Sequence, residues 1–321
     1  MRTAWFLLLP QTHILDLAGP LQALGSCAEL DLAPVEVRCT APQPEIHSFQ
    51  GVTLTGLEPL PERLDEDDVL FVVGNKMMLS DQERKALDSA ATWLERTMAK
   101  SGGLDLCSIC TGAFLLGRAG LLDGRDCTTH HRYVPLLQEL YPQARVLSNR
   151  LFVEDGPLCT SAGVSAGADL ALHVIGRRLG REVASQVAQE LVIYRRRAGE
   201  DPQLGIQELT RNHIHPLVHA VQDYLEENAS AALNFEHLAI RFNVSYRHLA
   251  RLFRENTGLT LQTFLRRQRI ERARRLLRES RMNVEQVAER CGFGSAHAFR
   301  VAWNKEVAET PLQFRKAALN R

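Results

Sequence analysis

Short apolar runs alternate with helix-spaced apolar positions over roughly the first 190 residues. Residues 5–9, 35–39, 69–73 and 106–109 read as strands. Between the last two, residues 81–98 read as a helix opened by Ser80, with Leu87, Ala90, Ala91, Leu94 and Met98 on one side. Strands separated by helices predict a mostly parallel sheet with helices against both faces. A basic stretch containing Gly199 and Pro202 breaks this pattern. Beyond it the periodicity is helical, with segments at 214–227, 235–242, 245–256, 261–279, 284–291, 295–307 and 312–317. Several are too short to stand alone and must share a core. The expected organisation is an α/β domain over 1–194, a linker over 195–213 and an all-α domain over 214–321.

The helical part contains a repeat. Residues 234–266 match 283–316 at an offset of 49, which becomes 50 after Gly294. Identical pairs include Asn234/Asn283, Glu236/Glu285, Ala239/Ala288, Arg241/Arg290, Ser245/Ser295, Thr260/Thr310 and Phe264/Phe314. Each copy reads as a short helix, a tight turn and a longer helix whose N-cap is a serine, Ser245 or Ser295. That is the pattern of a helix-turn-helix, here present twice. Leu249, Leu252 and Phe253 face inward in the first copy, and Phe299, Ala302 and Trp303 in the second. The outward positions are Tyr246, Arg247, Ala250 and Arg251, then Ala296, His297, Arg300 and Val301.

Arginine donors suit guanine O6 and N7, so Arg247 and Arg251 are expected to read base edges. Tyr246, Ala296, His297, Arg300 and Val301 complete the candidate reading set. Ser245, Arg254, Arg266, Arg267, Ser295, Asn304 and Lys305 are the candidate phosphate contacts. The helix over 261–279 would be a rod of about 28 Å, comparable with one turn of duplex, roughly 34 Å. Its exposed arginines, among Arg266, Arg267, Arg269, Arg272, Arg274, Arg275 and Arg278, are expected to attract phosphates. A tandem helical repeat that binds protein is the alternative.

Charge sharpens this division. Lys plus Arg and Asp plus Glu both number 38. Up to Tyr194 there are 16 basic and 24 acidic residues; beyond it, 22 basic and 14 acidic. One half repels a polyanion and the other attracts it. An apolar fraction of 45% and a charged fraction of 24% are those of a globular protein. They argue against a disordered, collagen-like or membrane chain. The N-terminal apolar runs fall far short of the roughly 20 residues of a spanning helix. Seven scattered cysteines, an odd number, fit a reducing cytoplasm better than a disulfide framework. No spacing suggests a metal site, and no cofactor is expected.

In the first domain, strand 106–109 leads straight into Cys110-Thr111-Gly112 and a helix. Such an elbow can present a nucleophile beside a helix N-terminus, where the thiol pKa falls. Asp16, His130, His131, Thr160 and Ser161 follow other elements toward the same sheet edge, where ligands bind in open α/β sheets. Cys110 is read as a nucleophile, a ligand-pocket residue or a small buried side chain. His130 is read as a pocket donor, a base or a surface residue.

Two resemblances cover most of the chain. From Ile214 to Ala317 it resembles the AraC/XylS family of transcriptional regulators. The likeness rests on Asn283-Val-Glu-Gln-Val-Ala-Glu-Arg-Cys-Gly-Phe-Gly-Ser-Ala-His-Ala-Phe299, on Leu249-Ala-Arg-Leu-Phe253 and on Arg269-Ile-Glu-Arg-Ala-Arg-Arg-Leu-Leu277. It implies two helix-turn-helix units entering successive major-groove segments, and contact with RNA polymerase. Val301 stands where the family usually has arginine, and Ala308 where it has glycine. Residues 3–192 resemble the PfpI/ThiJ, class I glutamine-amidotransferase-like fold found in the GlxA-like subgroup. That likeness rests on Leu15-Asp-Leu-Ala-Gly-Pro20, Ile109-Cys-Thr-Gly112, Ala119-Gly-Leu-Leu-Asp-Gly-Arg125, Thr128-Thr-His130 and Thr160-Ser-Ala-Gly163.

The second resemblance implies an effector pocket near Asp16, Gly74, Cys110 and His130, a nitrogenous small-molecule effector and a homodimer. Thr111 stands where hydrolytic members have histidine, Asn75 where a second glycine is usual, and His131 where an aromatic residue is frequent. The expected function is a cytoplasmic, sequence-specific DNA-binding activator controlled by a metabolite. The rival is a cysteine-dependent amidase or hydrolase carrying a DNA-targeting module.

Overall fold

A computed structural model of the chain describes residues 1–101, 103–193, 197–307 and 309–319. It divides into two compact units, Met1–Gln203 and Leu204–Arg321. The first contains β1 (Thr3–Leu7), α1 (Ile14–Glu29), β2 (Glu36–Thr40), β3 (Ile46–His47), β4 (Thr53–Leu54), β5 (Val69–Val72), α2 (Asp81–Lys100) and β6 (Asp105–Ile109). It continues with α3 (Gly112–Arg118), β7 (Asp126–Cys127), α4 (Val134–Leu140), β8 (Arg145–Val146), β9 (Phe152–Asp155), β10 (Leu158–Ser161), α5 (Ala166–Arg178) and α6 (Arg181–Glu190).

The main sheet has the order β2-β1-β5-β6-β10-β9. Its neighbours run parallel except the antiparallel β10–β9 pair at one edge. Alternate residues feed two cores. Phe6 and Phe71, stacked at 5.0 Å between ring centroids, join Leu24, Leu170 and Val187 from α1, α5 and α6. Leu7 and Val72 join Leu94, Leu116 and Leu137 from α2, α3 and α4. With both faces covered, β1 and β5 are buried along their whole length, which is why they read as continuous apolar runs. Ser80 caps α2 through a reciprocal pair: its hydroxyl accepts the Glu83 N–H and the Glu83 carboxylate accepts the Ser80 N–H.

The stretch expected to link the domains is divided between the units. Arg197 is anchored to Asp169 through its N–H at 3.1 Å and its guanidinium, and the Gly199 carbonyl accepts the Leu151 N–H at 2.9 Å. Arg195 and Arg196 lie outside the described residues.

The second unit is helical: α7 (Ile206–Thr210), α8 (Pro216–Glu227), α9 (Phe235–Arg241), α10 (Tyr246–Thr257), α11 (Leu261–Glu279), α12 (Val284–Arg290), α13 (Ala296–Trp303) and α14 (Pro311–Leu319). Two cores flank α11. Its Leu261 and Phe264 pack with Ile206, Val221, Leu249 and Phe253; its Ile270, Ala273 and Leu277 pack with Val287, Phe299, Trp303 and Phe314. The Ser245 hydroxyl accepts the His248 N–H at 3.3 Å and that of Ser295 accepts the Ala298 N–H at 3.1 Å. The turns before them pass through left-handed residues at equivalent positions, Asn243 at φ 54° and Gly292 at φ 80°. Among the described residues no helix is long and apolar enough to cross a membrane.

The arginines of α11 are mostly covered. Of its seven arginines named above, only Arg275 is exposed; Arg274 is buried and the others are half-buried. A helix serving two cores at once has little free circumference, so its cations are turned onto neighbouring backbone and carboxylates.

Candidate functional site

Cys110, immediately after β6, has a left-handed conformation, φ 56°, which is strained for a residue with a Cβ. Its backbone is held on both sides: the N–H donates to the Ser161 carbonyl at 3.0 Å, and Thr129 Oγ1 donates to its carbonyl at 2.7 Å. Asp16, in the first turn of α1 and only 1% exposed, comes to the same point. Its Oδ1 accepts the Val164 N–H at 2.5 Å, while Oδ2 is buried with no hydrogen-bond partner. Gly74 and Gly163 make this approach feasible. A Cβ on Gly74 would lie 2.5 Å from Asp16 Oδ2 and 2.9 Å from Cys110 Cβ; one on Gly163 would lie 2.1 Å from Cys110 Cβ. Any side chain at either place would break the elbow.

Electrostatics follow from burial. Desolvation raises the Asp16 pKa, against the lowering pull of the Val164 N–H, of His13 and of a hydrogen bond with the Cys110 thiol. Desolvation first, and the Asp16 charge second, push the Cys110 thiol well above its ordinary range. The thiol is therefore held protonated, the reverse of the activated cysteine expected ahead of α3.

The remaining candidates divide. Thr111 Oγ1 donates to the Asn75 carbonyl at 2.6 Å and accepts the Asn75 N–H at 2.8 Å, and Asn75 Nδ2 donates to the Pro10 carbonyl at 3.2 Å. This clasp fixes the loop after β5 against the elbow. Thr160 Oγ1 accepts the Thr128 N–H at 2.8 Å and Ser161 Oγ donates to the Ser108 carbonyl at 3.2 Å. Both hydroxyls are buried framework groups, not groups turned to a pocket. His130 is half-buried and accepts the Arg132 N–H at 3.4 Å. Burial, then the neighbouring His131 and Arg132, lower its pKa. Among the described residues no hydrogen bond joins it to Cys110. Val164 was not legible as a partner of Asp16, being 148 positions away. Among the described residues no group of three His, Cys, Asp or Glu side chains could hold a metal ion.

In the second unit, α10 exposes Tyr246, Arg247, His248, Arg251, Arg254 and Glu255, with Leu249 and Phe253 buried behind them. The Arg251 guanidinium donates to Glu255 at 3.0 Å. On α13 the exposed residues are His297, Ala298, Arg300 and Val301, followed by Asn304 and Lys305. Ala296, expected outward, is half-buried, and Ala298 is exposed. Arg300 donates to Glu285 of α12 at 2.9 Å, and Val301 is 46% exposed. The two faces differ in kind, cationic in the first copy and partly apolar in the second. Arg266 and Arg267 are both bonded to Glu306, at 3.0 and 3.2 Å. Ala308 lies outside the described residues.

Comparison with known proteins agrees with this architecture. Residues 2–177 match the DJ-1/PfpI family and residues 238–317 a helix-turn-helix domain family. The chain is 34% identical to the HTH-type transcriptional regulator CdhR of Pseudomonas aeruginosa, over 97% of this chain and 90% of that protein. It is 34% identical to the HTH-type transcriptional regulator GlxA of Rhizobium meliloti, over 67% of this chain and 66% of that one. Isonitrile hydratase of Pseudomonas putida is 32% identical over 58% of this chain and 76% of its own. The chain therefore belongs to the AraC/XylS-like helix-turn-helix regulators that carry a DJ-1/PfpI-type amino-terminal domain, the GlxA type.

Proposed function

We propose that this protein is a sequence-specific DNA-binding transcriptional regulator. Its second unit reads duplex DNA and its first senses a small molecule at the Asp16–Cys110 elbow. The observation that carries the reading is the pair of serine-capped, outward-facing helices, α10 and α13, on the shared helix α11. Arg247 and Arg251 read guanine edges, while Val301 meets a thymine methyl. Arg254, Asn304 and Lys305 contact phosphates. Activation through RNA polymerase, a homodimeric state and a nitrogen-bearing effector complete the proposal. The unbonded Asp16 Oδ2 supports the last, since it offers an acceptor or, protonated, a donor to such a ligand. Regulation requires that the ligand bind one of two states more tightly.

Fluorescence anisotropy on specific and scrambled duplexes tests the readout. Arg251→Ala should weaken specific binding by about 5- to 150-fold, the 1–3 kcal/mol of a base contact, and leave scrambled DNA little changed. Equal loss on both would remove the base-reading role. The likeness to isonitrile hydratase favours a second reading, cysteine chemistry in the first unit. A buried Cys110 whose pKa is raised by desolvation and by Asp16, with no hydrogen bond to His130 among the described residues, opposes it. Turnover of isonitriles, abolished by Cys110→Ala with DNA binding intact, would establish that reading instead.

A further inference from the structure

Each copy packs its own core on α11, but a shared rod by itself still leaves the angle between the two reading helices open to bending and twisting of the rod. Three contacts at the middle of the rod remove that freedom. Arg269 Nε donates to the Ala229 carbonyl at 2.7 Å and its NH2 group to the Ala231 carbonyl at 2.8 Å. These carbonyls lie in the loop between α8 and α9, the entry to the first copy. The same guanidinium sits 5.8 Å from the Phe293 ring centroid, in the turn of the second copy. Beside it, a Cβ on Gly292 would lie 2.7 Å from the Ser230 carbonyl oxygen, so the turn of one copy rests directly on the entry loop of the other. On another side of the rod, Glu306, just past α13, accepts from Arg266 and Arg267, and its carbonyl accepts from Arg274 at 3.4 Å.

We infer that Arg269 and Glu306 are positioning residues that lock the rotational phase between α10 and α13, and thereby set which spacing of two half-sites the protein accepts. The inference rests on the DNA-binding reading above. Its physical basis is that one inserted base pair moves a half-site by about 3.4 Å and turns it about the duplex axis by roughly 35°. A freely twisting pair of heads would follow such a change, whereas a locked pair would not.

Full-length protein and a duplex selected from random sequence provide the test, with spacings of −1, 0, +1 and +2 base pairs and a duplex holding only the first half-site. Wild type should bind one spacing and discriminate against its neighbours. Arg269→Lys keeps the charge but loses the fork that spans two carbonyls, and Glu306→Gln keeps the shape but loses both ion pairs. Each should weaken binding at the optimal spacing by about 10-fold, the scale of a hydrogen bond to a charged group, and flatten the spacing profile. The single half-site should stay within about 2-fold of wild type. Equal loss at every spacing and on the half-site would reduce both residues to general stabilisers and overturn the inference. An unchanged profile with a steeper salt dependence for Glu306→Gln would also overturn it, making Arg266 and Arg267 reserve phosphate contacts. Wild type blind to sequence at all spacings would instead remove the regulator reading itself.

Discussion

Burying the Asp16 carboxyl with Oδ2 unbonded disfavours its ionised form, so the folded chain holds that proton better than the unfolded chain does. The stability this gives is complete below the unfolded pKa of 3.8 and is lost as pH rises through the higher folded value. Asp16→Asn keeps the acceptor for Val164 and abolishes ionisation. It should raise Tm at pH 7 by about 2–4 °C, what about 1 kcal/mol does in a domain of this size, with the gain closing at pH 3. An unchanged or lower Tm at pH 7 would mean the carboxylate is better satisfied than its surroundings indicate. Glu154 has the opposite sign. His173 first, with Arg177, holds it down to about 2, so its contribution is present above the unfolded value of 4.5 and lost as pH falls from there toward 2. Glu154→Gln should flatten that part of the acid-denaturation curve, and an unaltered curve would remove the pair from the account. Asp16 and Cys110 were legible in the sequence because elbows and strand ends have local signatures. Their titration was not, because it is set by loops that meet only in the folded chain.

Among the elements, those with local signals agree with the sequence reading. Ser80 opens α2, and Ser245 and Ser295 cap α10 and α13, each through a hydroxyl that accepts a nearby N–H. Ser245→Ala and Ser295→Ala should each destabilise the second unit by about 1 kcal/mol, visible as a lower urea midpoint with unchanged m-value. No shift for either would show that its helix start is held by packing instead. Helix α1 gave no such signal, since Pro20 and Gly25 interrupt its periodicity, and the two-residue pairs β3–β4 and β7–β8 are too short for alternation to register. How few arginines of α11 are exposed was not legible, for another reason. Composition makes a charged helix look exposed, but exposure depends on how many cores the helix serves, and Arg269 meets residues of both copies.

For the whole molecule, a formal net charge of zero conceals an acidic amino-terminal part and a basic carboxy-terminal one. DNA binding should therefore be strongly salt-dependent despite the neutral sum. Arg254→Ala and Lys305→Ala should each flatten the slope of log affinity against log salt by about 1, on specific and scrambled duplex alike. A slope that neither change moves would exclude them as phosphate contacts. The charge split was legible from counting; the boundary after Gln203 was not, because Arg197 and Gly199 look like linker residues and are tied to Asp169 and Leu151 by tertiary bonds. The repeat also has a limit that the sequence match conceals. Asn243 and Gly292 occupy the same place in their turns with the same handedness, yet a Cβ on Gly292 would collide with the Ser230 carbonyl in the entry loop of the other copy. A chimera with glycine in both turns should fold, whereas one with asparagine in both would force the copies apart: the two motifs are no longer interchangeable parts.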